Sequence, residues 1–123
     1  MAVLITGHKG FIGQNMMAAL PGAVGYEWGD GSVPLRGIER VLHLGAISST
    51  ACGDLEKLRV QNIKFSIDLL YACAAREIPF QFASSASVYG PNNATFRETD
   101  KPDPRTPYAQ SKAFVEQVIL SKR

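Results

Sequence analysis

The sequence contains little of three features that often identify a protein class: cysteine, charge of one sign and long apolar runs. Its 123 residues include only two cysteines, Cys52 and Cys73, whose separation matches no zinc or disulfide framework. Thirteen basic and eleven acidic side chains leave a net charge of +2, too small to indicate nucleic-acid or membrane-surface binding. No apolar run approaches the ~20 residues of a membrane-spanning helix. We therefore expect a cytoplasmic protein with reduced thiols, no metal site and a single domain over residues 1–123.

Apolar runs alternate with helical patterns along the chain. Strand patterns cover residues 2–6, 23–28, 40–46 and 78–85, and helical patterns end at residue 20 and cover residues 53–77 and 106–122. Thr106 is the candidate N-cap of the last helix, and residues 86–105 predict one long loop. This alternation predicts an α/β fold, a Rossmann-like doubly wound parallel sheet of four strands without a separate substrate domain. We expect the strand order 2-1-3-4.

Three glycines occupy the turn between the first strand and the first helix, in the sequence "TGHKGFIG". Gly7, Gly10 and Gly13 follow an apolar strand and precede a helix, which is the context of a dinucleotide-binding loop. In such a loop one glycine permits the tight turn, another lets the backbone approach a pyrophosphate, and the last lets helix pack on strand. The free N–H groups of the helix then face the phosphates, which favours a dinucleotide site that includes Phe11 and Ile12.

Two charged residues near this loop favour different cofactors. Lys9, between the first two glycines, is placed to meet the adenosine 2′-phosphate of NADP with its charge. Asp30 lies near the position where an acidic side chain binds the ribose of NAD. However, Asp30 belongs to "GDGS", which is also an ordinary turn sequence. We favour NADP and keep NAD as the alternative.

A second group of polar residues lies near the end of the chain. Tyr108 and Lys112 are four residues apart, so they share one face of the last helix. Because an ammonium group favours a neighbouring phenolate, Tyr108 is a candidate general acid/base. Ser85 follows the fourth strand, and its hydroxyl is able to hold a substrate oxygen. Tyr and Lys pairs occur by chance on many helices, but all three residues in this order favour catalysis.

Together these motifs resemble the extended short-chain dehydrogenase/reductases, the NAD(P)-dependent nucleotide-sugar epimerases and dehydratases. The matching stretches are "TGHKGFIG", "HLGA", Asn62, "SSASVYG" and "PYAQSK", in family order over nearly the whole chain. "GAISST" and "REIPFQFASSASVYG" are most similar to the ADP-glyceromanno-heptose 6-epimerases, and "GHKGF" resembles the loop of GDP-fucose synthase. Both subfamilies favour NADP, which agrees with the role given to Lys9.

The resemblance implies a role for each matching residue. Ser85, Tyr108 and Lys112 would be catalytic, with hydride leaving a sugar carbon for the nicotinamide while Tyr108 takes the hydroxyl proton. Asn62 would be a structural polar contact in the long helix. The cofactor-binding residues would be Gly7, Lys9, Gly10, Phe11, Ile12, Gly13, Asp30, Gly45, Ala46, Tyr108 and Lys112.

The sequence departs from the family pattern in two places. Only residues 29–39 separate the second strand from the third, where a family member has a helix, a strand and another helix. The 123 residues also contain no counterpart of the sugar-nucleotide domain. We therefore expect the isolated chain to bind a dinucleotide better than it turns over a nucleotide-sugar substrate. A non-catalytic dinucleotide-binding or dimerisation module, or a folded remnant, stays open as the alternative.

The apolar pattern of the helices predicts a homodimer. Apolar side chains of the long helix form two stripes, which a regular helix places on opposite sides: Leu55, Leu58, Phe65, Leu69 and Cys73, and Val60, Ile63, Ile67, Tyr71 and Ala74. One sheet covers only one stripe, and Phe114 and Val118 repeat the pattern on the last helix. We expect helices 53–77 and 106–122 of two copies to pair in a four-helix bundle.

Overall fold

The computed structural model describes residues 2–47, 52–91 and 95–122. They fall into two compact units, Met1–Ala46 with Asp68–Ala83, and Ile47–Ile67 with Ser84–Arg123. The single domain over residues 1–123 stays a prediction. Within the described residues, no helix combines the length and the apolar character that crossing a membrane requires.

The first unit contains a four-stranded parallel sheet. Its strands are β1 (Ala2–Thr6), β2 (Val24–Tyr26), β3 (Ile38–His43) and β4 (Phe80–Phe82), and helix α1 (Phe11–Ala19) follows β1. The strands lie in the order β2-β1-β3-β4, and all three neighbouring pairs are parallel. The predicted α/β class and the predicted strand order are both confirmed. β2 and β4 are shorter than the apolar runs that predicted them, and β3 begins two residues earlier and ends three residues earlier than predicted.

The centre of this sheet is formed by β1 and β3. Leu4, Ile5 and Val41 are fully buried, and their β-branched or apolar side chains suit a strand that is covered on both faces. Residues 27–37, between β2 and β3, form turns and contain no helix. This direct connection also matches the sequence prediction. A short irregular segment, and not a crossover helix, therefore follows the end of β2.

The second unit contains the first part of the long helix, up to Ile67, and this helix is less regular than predicted. Helix α2 (Leu55–Lys57) continues into a π-helical segment (Leu58–Lys64) and then into α3 (Phe65–Ala75). A π turn bonds residue i to residue i+5 and so holds more residues than an α turn. The prediction of two stripes at regular α-helical spacing is therefore wrong across this segment. Leu58 is buried, whereas Leu55 is 66% exposed.

Helix α4 (Pro107–Ser121) begins where the sequence predicts. The Thr106 hydroxyl oxygen accepts the Ala109 N–H at 3.1 Å, and Pro107 occupies the first helical position. A short 3₁₀ helix (Ala86–Tyr89) lies in the stretch that was predicted as one loop, which corrects that prediction. Ser85 starts this turn because its hydroxyl oxygen accepts the Ser87 N–H at 3.2 Å.

Candidate functional site

The turn after β1 brings the loop glycines into contacts that exclude side chains. Gly7 has a φ of +70°, and a Cβ there would lie 2.7 Å from the Gly45 Cα. A Cβ on Gly13 would lie 2.1 Å from the Gly7 carbonyl oxygen. Both distances are shorter than any normal carbon contact, so only glycine fits at these two positions. The Gly10 N–H donates to the Gly7 carbonyl at 3.1 Å and tightens the turn.

Gly45 lies beside this turn because the end of β3 pairs with the end of β1. The Gly45 N–H donates to the Thr6 hydroxyl oxygen at 3.0 Å. A Cβ on Gly45 would lie 2.9 Å from the Gly7 nitrogen, and the half-buried Ala46 follows. The predicted cofactor residues Gly7, Gly13, Gly45 and Ala46 thus come together at the carboxyl ends of two adjacent strands.

The first turn of α1 is open for a ligand. No side chain caps its N-cap residue Gly10, and Phe11 and Ile12 are 86% and 60% exposed. The first N–H groups of a helix have no partner within the helix and carry partial positive charge. A phosphate group is the usual ligand for such a turn when a glycine loop precedes it.

A carboxylate that the sequence analysis did not single out also contacts this loop. Glu27 directly follows β2, and its Oε1 accepts the Lys9 N–H at 2.8 Å. The Glu27 N–H donates to the Asp30 carboxylate at 2.9 Å, so Asp30 reaches the loop through Glu27. The sequence pattern predicted one strand over residues 23–28, so Glu27 was assigned to that strand and not to the site. The acidic residue immediately after the strand is the signal that would have found it.

His8, in the glycine loop, is another residue that the sequence pattern did not indicate. A Cβ on Gly25 would lie 2.3 Å from the His8 ring, so the glycine makes room for it. The buried His8 Nδ1 lies 3.7 Å from the Glu27 carboxylate and has no hydrogen-bond partner within the described part of the chain. A polar ligand group would satisfy this nitrogen, and the uncapped start of α1 presents N–H groups to a phosphate. These residues therefore fit a dinucleotide.

The predicted catalytic residues all belong to the second unit. Tyr108 and Lys112 lie on α4 and are 6% and 4% exposed. The Lys112 ammonium lies 6.0 Å from the centre of the Tyr108 ring. Burial lowers the pKa of Lys112 from 10.5 to about 8. At neutral pH the ammonium is therefore still charged, but it loses its proton much more readily than a surface lysine.

Ser85 has a structural role in addition to the one predicted for it. Its hydroxyl caps the 3₁₀ helix and lies 2.8 Å from the Ser87 hydroxyl. The neighbouring Ser84 hydroxyl donates to the Glu116 carboxylate on α4. Since the 3₁₀ helix packs against α4, Ser85 lies in the same unit as Tyr108 and Lys112.

Asn62 supports the part of α4 that carries these residues. It is buried, its Oδ1 accepts the Ile47 N–H at 2.8 Å, and its Nδ2 donates to the Ile47 carbonyl at 3.3 Å. Nδ2 also lies 3.3 Å from the Ser111 hydroxyl, which donates to the Tyr108 carbonyl at 2.6 Å. The Asn62 side chain thus bonds to the backbone of Ile47 and to Ser111. These bonds give Asn62 the role of a structural polar contact, as the resemblance implies.

Comparison with known proteins agrees with this geometry. Residues 33–123 match the model of the NAD dependent epimerase/dehydratase family. The chain belongs to this family.

Solved structures extend the similarity to the whole fold. A short-chain dehydrogenase/reductase superfamily protein from Agrobacterium tumefaciens with bound NAD aligns with 97% of this chain at 28% identity, with a TM-score of 0.83. MoeE5 in complex with UDP-glucose and NAD aligns with 98% of this chain at 28% identity, with a TM-score of 0.85. RMD from Pseudomonas aeruginosa complexed with NADPH aligns with 98% of this chain at 26% identity, with a TM-score of 0.75.

The epimerase/dehydratase chain spans about half of these neighbours, namely 44%, 48% and 48% of their lengths. Two of them hold NAD and one holds NADPH, so a nicotinamide dinucleotide is supported as the cofactor class without a choice between the two. The similarity is to epimerases and dehydratases in general. Part of the "GAISST" stretch that suggested the heptose 6-epimerases, residues 48–50, lies outside the described residues.

Proposed function

We propose that this epimerase/dehydratase chain binds a nicotinamide dinucleotide through its glycine loop and carries the proton-transfer residues for a nucleotide-sugar substrate. The observation that carries the proposal is the contact of Gly7 with Gly13 and Gly45. At each of these positions an added Cβ would lie within 3 Å of backbone atoms. Such a cradle brings backbone N–H groups close to a ligand phosphate, at the cost in chain entropy that glycine carries.

The proton chemistry is assigned to Tyr108, Lys112 and Ser85. A bound nicotinamide ring supplies hydride transfer. The Tyr108 hydroxyl exchanges a proton with the sugar hydroxyl, and the buried Lys112, whose ammonium is charged below about pH 8, lies one helical turn further along α4. Ser85 holds the same sugar oxygen through its hydroxyl. For the substrate we favour an ADP-heptose, because the sequence is most similar to the ADP-heptose 6-epimerases.

For the cofactor we propose NADP, because the exposed Lys9 side chain is available to a 2′-phosphate. Glu27 provides a specific reason to keep NAD as the second candidate. Its carboxylate lies at the end of β2, where it would accept from a ribose hydroxyl and repel a phosphate. Asp30 adds a second negative charge next to it.

Fluorescence titration of the purified chain with NADPH and NADH tests both the site and the preference. If the proposal holds, Lys9→Ala weakens NADPH binding by about tenfold and leaves NADH binding nearly unchanged. Glu27→Gln serves as the matched variant, because it keeps the size of the side chain and removes the charge. If this change instead weakens NADH and strengthens NADPH, the site prefers NAD. Failure of the unaltered chain to bind either cofactor would refute the proposal and favour a non-catalytic dimerisation module.

Turnover of ADP-heptose, GDP-sugars and UDP-sugars with each cofactor tests the catalytic part. Tyr108→Phe removes only the hydroxyl and is expected to abolish any measured rate. Activity that survives this change would exclude Tyr108 as the proton-transfer group.

The two cysteines are free thiols, which fits the reducing cytoplasm that we infer for the protein.

We also propose a homodimer through the predicted helices 53–77 and 106–122. Between the α2–π segment and α4 lies an apolar cavity of about 260 Å³, lined in part by Leu55, Leu58, Ile63 and Phe114. Leu55 and Phe114 are 66% and 52% exposed, an apolar surface that a second copy would bury. Light scattering at micromolar concentration is expected to give twice the chain mass, and Phe114→Glu is expected to give the monomer. A monomeric mass for the unaltered chain would refute the dimer.

A further inference from the structure

A fully buried histidine lies next to the glycine loop without being part of it. His43 is the last residue of β3, and the parallel register places it beside Thr6, the last residue of β1. The His43 Nδ1 and the Thr6 hydroxyl oxygen are 2.6 Å apart. The same oxygen accepts the Gly45 N–H at 3.0 Å. A continuous chain of hydrogen bonds therefore runs from His43 through Thr6 to the backbone that touches Gly7.

Counting the donors and acceptors of Thr6 favours one direction for this chain of hydrogen bonds. The Thr6 hydroxyl has one proton and two lone pairs, and one lone pair accepts the Gly45 N–H. Both residues are 1% exposed, so a hydroxyl proton without an acceptor would be costly. The contact that accommodates this proton is His43 Nδ1. The tautomer that accommodates it has an acceptor lone pair at Nδ1 and its ring proton at Nε2.

Two aromatic rings on β4 surround the imidazole. The Phe80 and Phe82 ring centres lie 5.8 and 5.9 Å from the centre of the His43 ring, at 40° and 36° to its plane. These apolar neighbours limit rotation of the ring about its own axis. Neither ring offers a polar group that competes with Thr6 for Nδ1.

We propose that His43 is a positioning residue for dinucleotide binding. By taking the Thr6 proton, it turns a Thr6 lone pair to the Gly45 N–H and holds Gly45 against Gly7 before any ligand arrives. This inference rests on the proposed function, because it assumes that the glycine cradle binds the cofactor. A preformed cradle binds more tightly, since its ordering does not have to be supplied on binding.

Removal of the Thr6 hydroxyl tests the binding part of the proposal. Thr6→Val keeps the shape and loses the hydrogen bonds, and we expect it to weaken NADPH or NADH binding by about tenfold. Thr6→Ser keeps the hydroxyl and is expected to restore most of the affinity. Val41→Ala, in the same strand as His43, controls for general loss of stability and is expected to leave affinity unchanged. Equal losses in all three variants would overturn the proposal.

His43→Leu separates the histidine from the hydroxyl. If the two act through one another, the double variant with Thr6→Val binds no more weakly than Thr6→Val alone. Additive losses would overturn the proposal.

Nitrogen NMR of the cofactor-free chain tests the relay without any ligand. The expected result is a His43 with an unprotonated Nδ1 and a protonated Nε2, and Thr6→Val is expected to shift the Gly45 amide signal. A protonated Nδ1 would overturn the proposal even if the cofactor binds. If neither cofactor binds to the unaltered chain, both the proposed function and the role of His43 in cofactor binding are refuted. The NMR result then still shows whether the hydrogen bonds from His43 through Thr6 to Gly45 exist.

Discussion

Replacing Lys112 by methionine tests the electrostatics of the candidate catalytic helix. Lys112 is 4% exposed, and burial lowers its pKa from 10.5 to about 8. Each unit of difference between the folded and unfolded pKa corresponds to about 1.4 kcal/mol. Charging this side chain in the folded protein therefore costs about 3 kcal/mol. Lys112→Met keeps the length of the side chain and removes the charge.

The sign of the pH dependence follows from linkage. Between pH 8 and pH 10.5 the folded chain has lost the Lys112 proton while the unfolded chain still binds it. Stability rises with pH wherever the unfolded state binds more protons. The contribution of Lys112 to the free energy of unfolding is therefore expected to rise by about 3 kcal/mol across this window, and the cost is fully present below pH 8.

Urea unfolding at several pH values measures this difference. Subtracting the Lys112→Met curve from the unaltered curve cancels the titration of other lysines and tyrosines, which both proteins share. The Lys112 side-chain carbon signals in NMR give the folded pKa directly, with an expected midpoint near 8. Parallel stability curves, or a midpoint near 10.5, would refute the conclusion that burial controls this lysine.

Four further substitutions test the packing of the fold by urea unfolding. Gly13→Ala puts a Cβ 2.1 Å from a carbonyl oxygen and is expected to cost about 3 kcal/mol, whereas at Gly10 the nearest atom is 3.4 Å away and alanine costs less than about 1 kcal/mol. Equal effects would contradict the cradle. Asn62→Ala leaves the Ile47 N–H without its acceptor, for about 2 kcal/mol; an unchanged unfolding midpoint would show that water replaces the amide. Gly90→Ala, at a φ of +77° and 2.6 Å from a carbonyl oxygen, is expected to cost about 2 kcal/mol; a neutral result would mean that the loop relaxes.

The order of the strands and the glycine loop could both be predicted from the sequence, because short patterns along the chain specify them. Alternating strands and helices with right-handed crossovers leave few topologies, and the order β2-β1-β3-β4 is the one predicted. A turn at positive φ and a close approach of backbones both require residues without a Cβ, so Gly7 and Gly13 are visible in the sequence. The cap at Thr106 is equally local, since a hydroxyl reaches an N–H three residues on.

The distant residues that complete the site became visible in the folded chain and not in the sequence pattern. Glu27 reaches Lys9 because β2 ends at Tyr26, and His43 reaches Thr6 because the register of β1 and β3 sets them side by side. The π segment within the long helix has no clear signature either, because the same apolar residues suit an α-helix or a π turn. Strand ends, register and helix winding depend on packing summed over the whole fold, and a pattern read along one segment does not contain that sum.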